Sequence, residues 1–303
     1  MKKLFITLIS VLLLVSCQQQ NSSVADRSFY TGEDSYGRTV VIKEEPQRII
    51  SLSSSITEIA FLLNAGDKLV GVSDFCEYPP EVEKIPKVGK LLNINVETLL
   101  ALHPDLVLIT SHVTKEDVAK IENAGIPVFS VKAEDNIEGL FYTIDMLGVI
   151  LNRQEEAAAL SADYRHKIDS LQQNRPETTK SVYYVVGFGK TGDFTAPGNS
   201  YIHDIITLAG GRNIGEALDT WSVNRELLFE QDPDLIFIRE EDLETFCKTH
   251  PYTKLTAVKE HRVYPINTGW IDTPSPRNML AIEYIHKVIG DSSSVAGGMV
   301  MKP

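Results

Sequence analysis

Most of the residues in this chain whose types and spacing suggest chemistry argue against catalysis. Gly187, Gly189 and Gly192 follow an apolar run and spell G-x-G-x-x-G. A dinucleotide site needs a helix to open at that turn, so that its N–H groups meet the pyrophosphate. Asp193, Phe194, Thr195, Ala196, Pro197 and Gly198 come instead, which is turn and loop chemistry, so the motif predicts a turn and no nucleotide. Gly189, Lys190 and Thr191 match the end of a phosphate loop, but its leading glycine would fall at 184, which is Tyr184. There is no G-x-S-x-G elbow and no H-E-x-x-H, and nothing in the order of the serines and histidines sets up a triad. Cys17, Cys76 and Cys247 are too scattered for a zinc-ligand spacing or a disulfide framework. His112 lies just beyond the apolar run Leu106 to Ile109, at the edge where open α/β sheets hold their ligands. It is a weak candidate metal or haem ligand, beside the plainer reading of a surface histidine. A hydrolase or metal-dependent enzyme on a two-lobed α/β scaffold would have to draw on His112, Glu240 or Asp272, and no spaced ligand set or activated nucleophile supports it.

The large rings are more informative. Phe75, Tyr78, Phe188, Phe194, Trp221 and Trp270 all fall in segments that read as loops, and both tryptophans of the chain are among them. A ring in a loop either packs locally or lines a pocket. Local packing accounts for any single one; six rings spread over two halves of the chain make a shared aromatic cleft a serious competitor.

An internal echo carries two carboxylates. Asn95 to Ile109 aligns without gaps on Asn224 to Ile238, with seven of fifteen positions identical at an offset of 129. In each copy an Asn stands where a helix cap belongs, Glu97 or Glu226 falls in the first helical turn, and Pro-Asp introduces an apolar strand. A carboxylate near a helix N-terminus contributes about 0.3–1 kcal/mol through the helix dipole. That explains one glutamate well and a matched pair less well.

The elements that must position these residues alternate short β-branched runs with amphipathic segments, the pattern of βα units around a mainly parallel sheet. Strands are expected over residues 48–52, 69–72, 106–109 and 128–131, then 181–186, 235–238 and 263–266. Ser55-Ile56-Thr57-Glu58 has capping-box spacing and predicts a helix from there to about Asn64, ended by Gly66. Further helices are expected over 115–123, 200–209, 224–230 and 277–289. Residues 136–150 and 153–174 read as helical, with Asn152 capping the second, whose 22 residues would make a rod of about 33 Å between two lobes. The expected fold class is therefore α/β: two Rossmann-like βα lobes joined by a single long helix.

With 303 residues, 43% hydrophobic, the chain can bury two domains, and its formal charge of −12 leaves no basic footprint for nucleic acid. Lys2 and Lys3 precede an apolar run to Val15, too short to span a bilayer and the right length for a signal-peptide core. Leu14-Val15-Ser16-Cys17 ends it, so residues 1–16 are expected to be a signal peptide. Residues 17–45 are then a tether and the start of the fold, 46–133 an N-terminal lobe, 134–176 a helical block with the interlobe spine, 177–290 a C-terminal lobe and 291–303 a tail.

The Leu-Val-Ser-Cys ending resembles a bacterial lipobox, which implies a lipid on Cys17, a membrane anchor and an exported location. Farther on, Pro46 to Leu52, Gly71 to Pro80, Lys87 to Lys90, the Glu97 segment with Pro104 and Asp105, Ala209 to Ile214, and Ser275-Pro276-Arg277 resemble, in order and spacing, the periplasmic binding proteins of ABC importers for cobalamin, ferric siderophores and haem. The resemblance covers roughly 46–289. It implies a receptor rather than an enzyme, with no cofactor, a metal-chelate ligand held between the lobes, and an ABC permease dimer with its ATPase subunits as partner. Glu97 and Glu226 then correspond to the paired glutamates that dock onto permease arginines. Phe75 falls at a pocket aromatic of the cobalamin-binding member, Leu91 near a pocket tryptophan, Trp221 near a second, and Gly269 at a polar contact for which Asp272 could substitute. Arg277 matches the family's Ser-Pro-Arg. Phe188, Phe194 and Trp270 complete the expected ligand-binding set, with Lys90 and Arg225 as further cations. A corrinoid of the cobalamin type is the expected ligand, and a ferric siderophore or haem the alternative.

Overall fold

The computed structural model describes residues 28–90, 93–110, 113–132, 136–175 and 178–291. Tyr30–Glu33 (β1) and Thr39–Ile42 (β2) pair as an antiparallel hairpin. The N-terminal lobe continues with Ile49–Ser51 (β3), Ser54–Leu62 (α1), Leu69–Val72 (β4), the short strands Gly89–Lys90 (β5) and Asn93–Ile94 (β6), Val96–Ala101 (α2), Leu106–Ile109 (β7), Lys115–Asn123 (α3) and Val128–Ser130 (β8). Ile137–Leu151 (α4) and Gln154–Gln173 (α5) follow. The C-terminal lobe comprises Ser181–Val185 (β9), Asp193–Phe194 (β10), Tyr201–Leu208 (α6), Arg212–Asn213 (β11), Ser222–Val223 (β12), Arg225–Gln231 (α7), Leu235–Arg239 (β13), Glu240–Lys248 (α8), Thr256–Lys259 (α9), Val263–Ile266 (β14), Thr268–Ile271 (α10) and Asn278–Asp291 (α11).

Each lobe has a four-stranded parallel sheet, in the order β4-β3-β7-β8 and β11-β9-β13-β14. Counted along the chain, both run second, first, third, fourth. All of β7 and β9 is buried, which is why these strands read as unbroken apolar runs rather than as alternations. The faces still separate. Val107 and Ile109 enter a core with α2 and α3, and Tyr183, Val185, Ile236 and Ile238 enter another with α7 and α8. Leu106 and Leu108 on the other face of the first sheet, and Val182, Tyr184, Leu235 and Phe237 on that of the second, belong to one continuous core that also takes in α1, α4, α6 and α11. A large apolar interface of this kind opposes relative motion of the lobes.

The α4–α5 hairpin fills the waist. Arg165 bonds Glu138 and its guanidinium lies 3.9 Å from the Phe141 ring centre, Ser161 donates to Asp145, and Gly148 faces Ala157, so the two helices run antiparallel. A Cβ at Gly148 would come within 2.5 Å of the Ala157 Cβ, so glycine sets how closely they approach. α4 packs on α1 and α5 on α6 and α11, and the 20 residues of α5 make the spine, about 30 Å long.

Three local expectations are corrected. Asn152 does not cap α5; it closes α4 in the left-handed conformation, φ 57°, which asparagine tolerates, and Arg153 precedes α5 without a side-chain cap. No capping box forms at Ser55: α1 begins at Ser54 behind Ser53, and Glu58 turns into the protein. Phe194 and Trp270 are not in loops but in β10 and the single turn of α10.

The echo is structural as well. Asn95 accepts from Thr98 N and Asn224 from Glu226 N, so both asparagines cap their helices. His103 and Asp232, equivalent positions, both take positive φ as the chain leaves the helix. Asp105 then accepts the Gln47 and Arg48 N–H groups at the approach to β3, and Asp234 the N–H and hydroxyl of Ser181 in β9.

Candidate functional site: a cleft between two carboxyl edges

Open parallel sheets hold ligands beyond the carboxyl ends of their strands. In the N-terminal lobe that edge carries the loop after β4, where Phe75 is 57% and Tyr78 45% exposed. In the C-terminal lobe it carries the loop after β9 with Phe188, the loop joining β11 to β12 with Trp221, 40% exposed, and α10 after β14 with Trp270 and Asp272. The two edges meet. Arg277, at the approach to α11, reaches the N-terminal lobe, donating from Nε and Nη2 to the two oxygens of Glu58 at 3.0 and 2.6 Å, and its guanidinium lies 4.7 Å from the Tyr78 ring centre. No other ion pair between described residues joins the lobes. Burial pushes the Glu58 carboxyl above its usual range against the pull of Arg277 and Ser275. Tyr164 of α5 is pushed up to about 12, first by burial and then by the carboxylates around it, Glu58 among them.

The expected rings divide by what they touch. Phe75 and Trp221 are presented to solvent. Phe188 meets Phe246 and Tyr252 edge-on at 5.1 and 5.6 Å and is a wall of the C-terminal core. Phe194 lies against Gly187 and Gly192, and Trp270 meets Tyr284 at 6.1 Å. Asp272 is fixed from two sides: Tyr184 donates to Oδ1 at 2.5 Å and Arg239 to Oδ2 at 3.0 Å. Burial foremost, and then that contact, drive the Tyr184 hydroxyl upward in pKa. Leu91, His112 and Cys17 lie outside the described residues.

The G-x-G-x-x-G turn is a turn. Gly189 and Gly192 take φ of 98° and 116°, and a strand follows rather than a helix. Asp193 then collects Arg225 Nε at 2.8 Å and the Tyr252 hydroxyl, while Arg225 also donates to the Gly189 carbonyl. Arg225 thus ties the loop after β9 to the first turn of α7, beside Glu226. Glu97 and Glu226 are both exposed, each in the first turn of its helix. Among the described residues no group of His, Cys, Asp and Glu could hold a metal ion, Cys76 and Cys247 are free thiols, and no helix is long and apolar enough to cross a membrane.

Sequence reasoning missed Glu58, Tyr184, Asp193 and Tyr252. Glu58 offered a misleading signal, its capping spacing, and Tyr184 sits in an apolar run where a ring reads as core.

A family model for periplasmic binding proteins matches residues 49–268. The chain belongs to that family. Its members are substrate-binding transport proteins rather than enzymes. An uncharacterized ABC transporter substrate-binding lipoprotein of Bacillus subtilis is 27% identical over 267 residues, 86% of this chain and 85% of that one. A cobalamin-binding protein of Halobacterium salinarum is 29% identical over 263 residues, covering 82% and 70%. Among solved structures, a periplasmic heme-binding protein from Roseiflexus in apo form superposes with a TM-score of 0.72 at 23% identity, over 82% of this chain and 99% of that one. That likeness bears on the fold, and it matches the two-lobed α/β architecture.

Proposed function

We propose that the protein is a lipid-anchored substrate-binding protein of an ABC importer that captures a corrinoid of the cobalamin type between its lobes and delivers it to the permease and its ATPase subunits. The observation that carries the reading is the placement of exposed rings on both carboxyl edges, Phe75 and Tyr78 against Trp221, across lobes that share one core. A broad flat ligand gains most from rings that are already held apart, because little ordering remains to be done on binding. The cobalamin-binding relative supports the same class. Phe75, Trp221 and Asp272 are the contacts this reading rests on most, with Phe194 and Trp270 supporting the C-terminal wall. Leu91 completes the expected set.

The docking surface follows from the echo. Glu97 and Glu226 are exposed, matched and carried by equivalent helices, as engagement of a two-fold symmetric permease requires. Cys17 is the proposed point of lipid attachment, which places the receptor on the outer face of a membrane.

Titration calorimetry with cyanocobalamin, together with the visible spectrum of protein purified from its own host, tests the ligand. A corrinoid band or a saturable heat supports the reading. A haem Soret band in the native protein with no cobalamin heat would replace corrinoid by haem.

A further inference from the structure

The arginines of the cleft are already spoken for. Arg277 gives two hydrogen bonds to Glu58, which is 2% exposed, and Tyr78 covers its face. Its remaining nitrogen, Nη1, rests against Gly269, where a Cβ would collide with it. Gly269 stands where the resemblance implies a polar contact; here Arg277 occupies that space and finds its carboxylate in the other lobe. Arg239, at the end of β13, is bound by Asp272, and Arg225, opening α7, by Asp193. These are all the arginines that the described residues place at the two carboxyl edges.

Acids at the same edges are not compensated in this way. Asp74 and Glu77 after β4, Glu216 and Asp219 between β11 and β12, and Glu240 after β13 are exposed and join no ion pair among the described residues. Lys90 and Lys190 stand at the rim, exposed, on long stems whose charge water and salt screen. Lys87 donates to the Cys76 carbonyl.

We infer that Glu58 and Asp272 set the charge class of the ligand: by neutralising Arg277 and Arg239 on the cleft walls they select a metal chelate of net charge zero or above and reject polyanionic chelates. The inference rests on the chelate-receptor reading and narrows it. A ferric tris-catecholate, or a haem with two ionised propionates, would meet no uncommitted guanidinium and several carboxylates of its own sign. An uncharged corrinoid, with amide donors on its periphery, would meet acceptors. Glu58 acts here as a specificity-determining residue through Arg277, and the anionic ligand class becomes accessible when that arginine is released.

The test is equilibrium binding to the detergent-solubilised full-length lipoprotein with three probes: cyanocobalamin, haemin and a ferric tris-catecholate. The expected order is cyanocobalamin first, with an affinity indifferent to salt, and both anionic chelates weaker by at least about tenfold. Glu58→Gln should tighten the tris-catecholate by about tenfold, a gain lost again at high salt. Asp272→Asn, which frees Arg239 by an independent route, should also tighten the tris-catecholate, and it decides the matter if Glu58→Gln does not fold. Wild-type protein that holds the tris-catecholate as tightly as cyanocobalamin overturns the inference and leaves the receptor reading standing. So does a folded Glu58→Gln with unchanged anion affinity. If none of the three probes binds a folded wild-type protein, the receptor reading fails, and the inference with it.

Discussion

Asp105 and Asp234 stand 129 positions apart and make equivalent contacts, for each carboxylate takes the donors at the start of the strand beside its own, β3 in one lobe and β9 in the other. Such a carboxylate fixes the register between the first and third strands at their amino ends, the end opposite the cleft. The repeated Pro-Asp in the sequence is therefore a scaffold device, and the Glu that precedes it by eight positions is left free for another use.

Asp234 carries a pH signature. Burial would raise its pKa, but the Ser181 N–H and hydroxyl outweigh that and hold it below the usual carboxylate range. A depressed folded-state pKa means stability that is present above the unfolded value, about 3.9, and lost as pH falls through the folded one. Asp234→Asn should cost about 1 kcal/mol at neutral pH, discounted for partial exposure. The gap to wild type in melting temperature should narrow below about pH 4. A gap that widens in acid would show that Asp234 is not held as an anion.

Trp221 and Phe188 separate binding from packing. Trp221→Ala should weaken cyanocobalamin binding by about thirtyfold, the usual cost of an aromatic hot spot, with little change in melting temperature. Phe188→Ala removes a ring that touches Phe246 and Tyr252, and should lower stability by about 3 kcal/mol. Calorimetry and thermal melts on both variants check this. The reverse pattern would make Trp221 a structural residue.

Glu97→Ala and Glu226→Ala should each cost no more than about 1 kcal/mol of stability through the lost dipole interaction. Ligand affinity should survive in both while uptake by cells falls, and falls further in the double variant. Changing both to Lys should be more severe still, since like charges would then oppose the permease. Full uptake by the double Lys variant at normal protein levels would remove the docking role.

Cys17→Ser should release the protein from membranes or leave it unprocessed. Labelled fatty acid is the measurement, and wild-type labelling of the Ser variant would rule out Cys17 as the lipid site.

Much of the scaffold is legible in the sequence because short β-branched and aliphatic runs leave a plain mark: the expected strands Leu69–Val72, Leu106–Ile109 and Val263–Ile266 agree with the structure to the residue. The cap of α7 is legible from Asn224, and the exposed rings from their setting between elements. The β1–β2 hairpin is not, because Tyr30–Glu33 is only half buried at alternate positions and carries no apolar run. Glu58 and Arg277 are beyond reach for a different reason. A pair 219 positions apart creates no periodicity, and nearby serines supply Glu58 with a false partner in the helix cap. Where both members of a site come from one loop, sequence can suggest them; where they come from two lobes, only the fold can.

The shared core has a thermodynamic consequence. Leu108 of one sheet and Tyr184 of the other lie in the same hydrophobic cluster, so neither half of the chain owns a complete interior. A fragment cut between α5 and β9 would expose that face to water and lose the cooperativity of the whole. For the same reason, a ligand that touched only Trp221 and its neighbours should still raise the melting temperature of the opposite lobe, since a shared core couples the unfolding of the two.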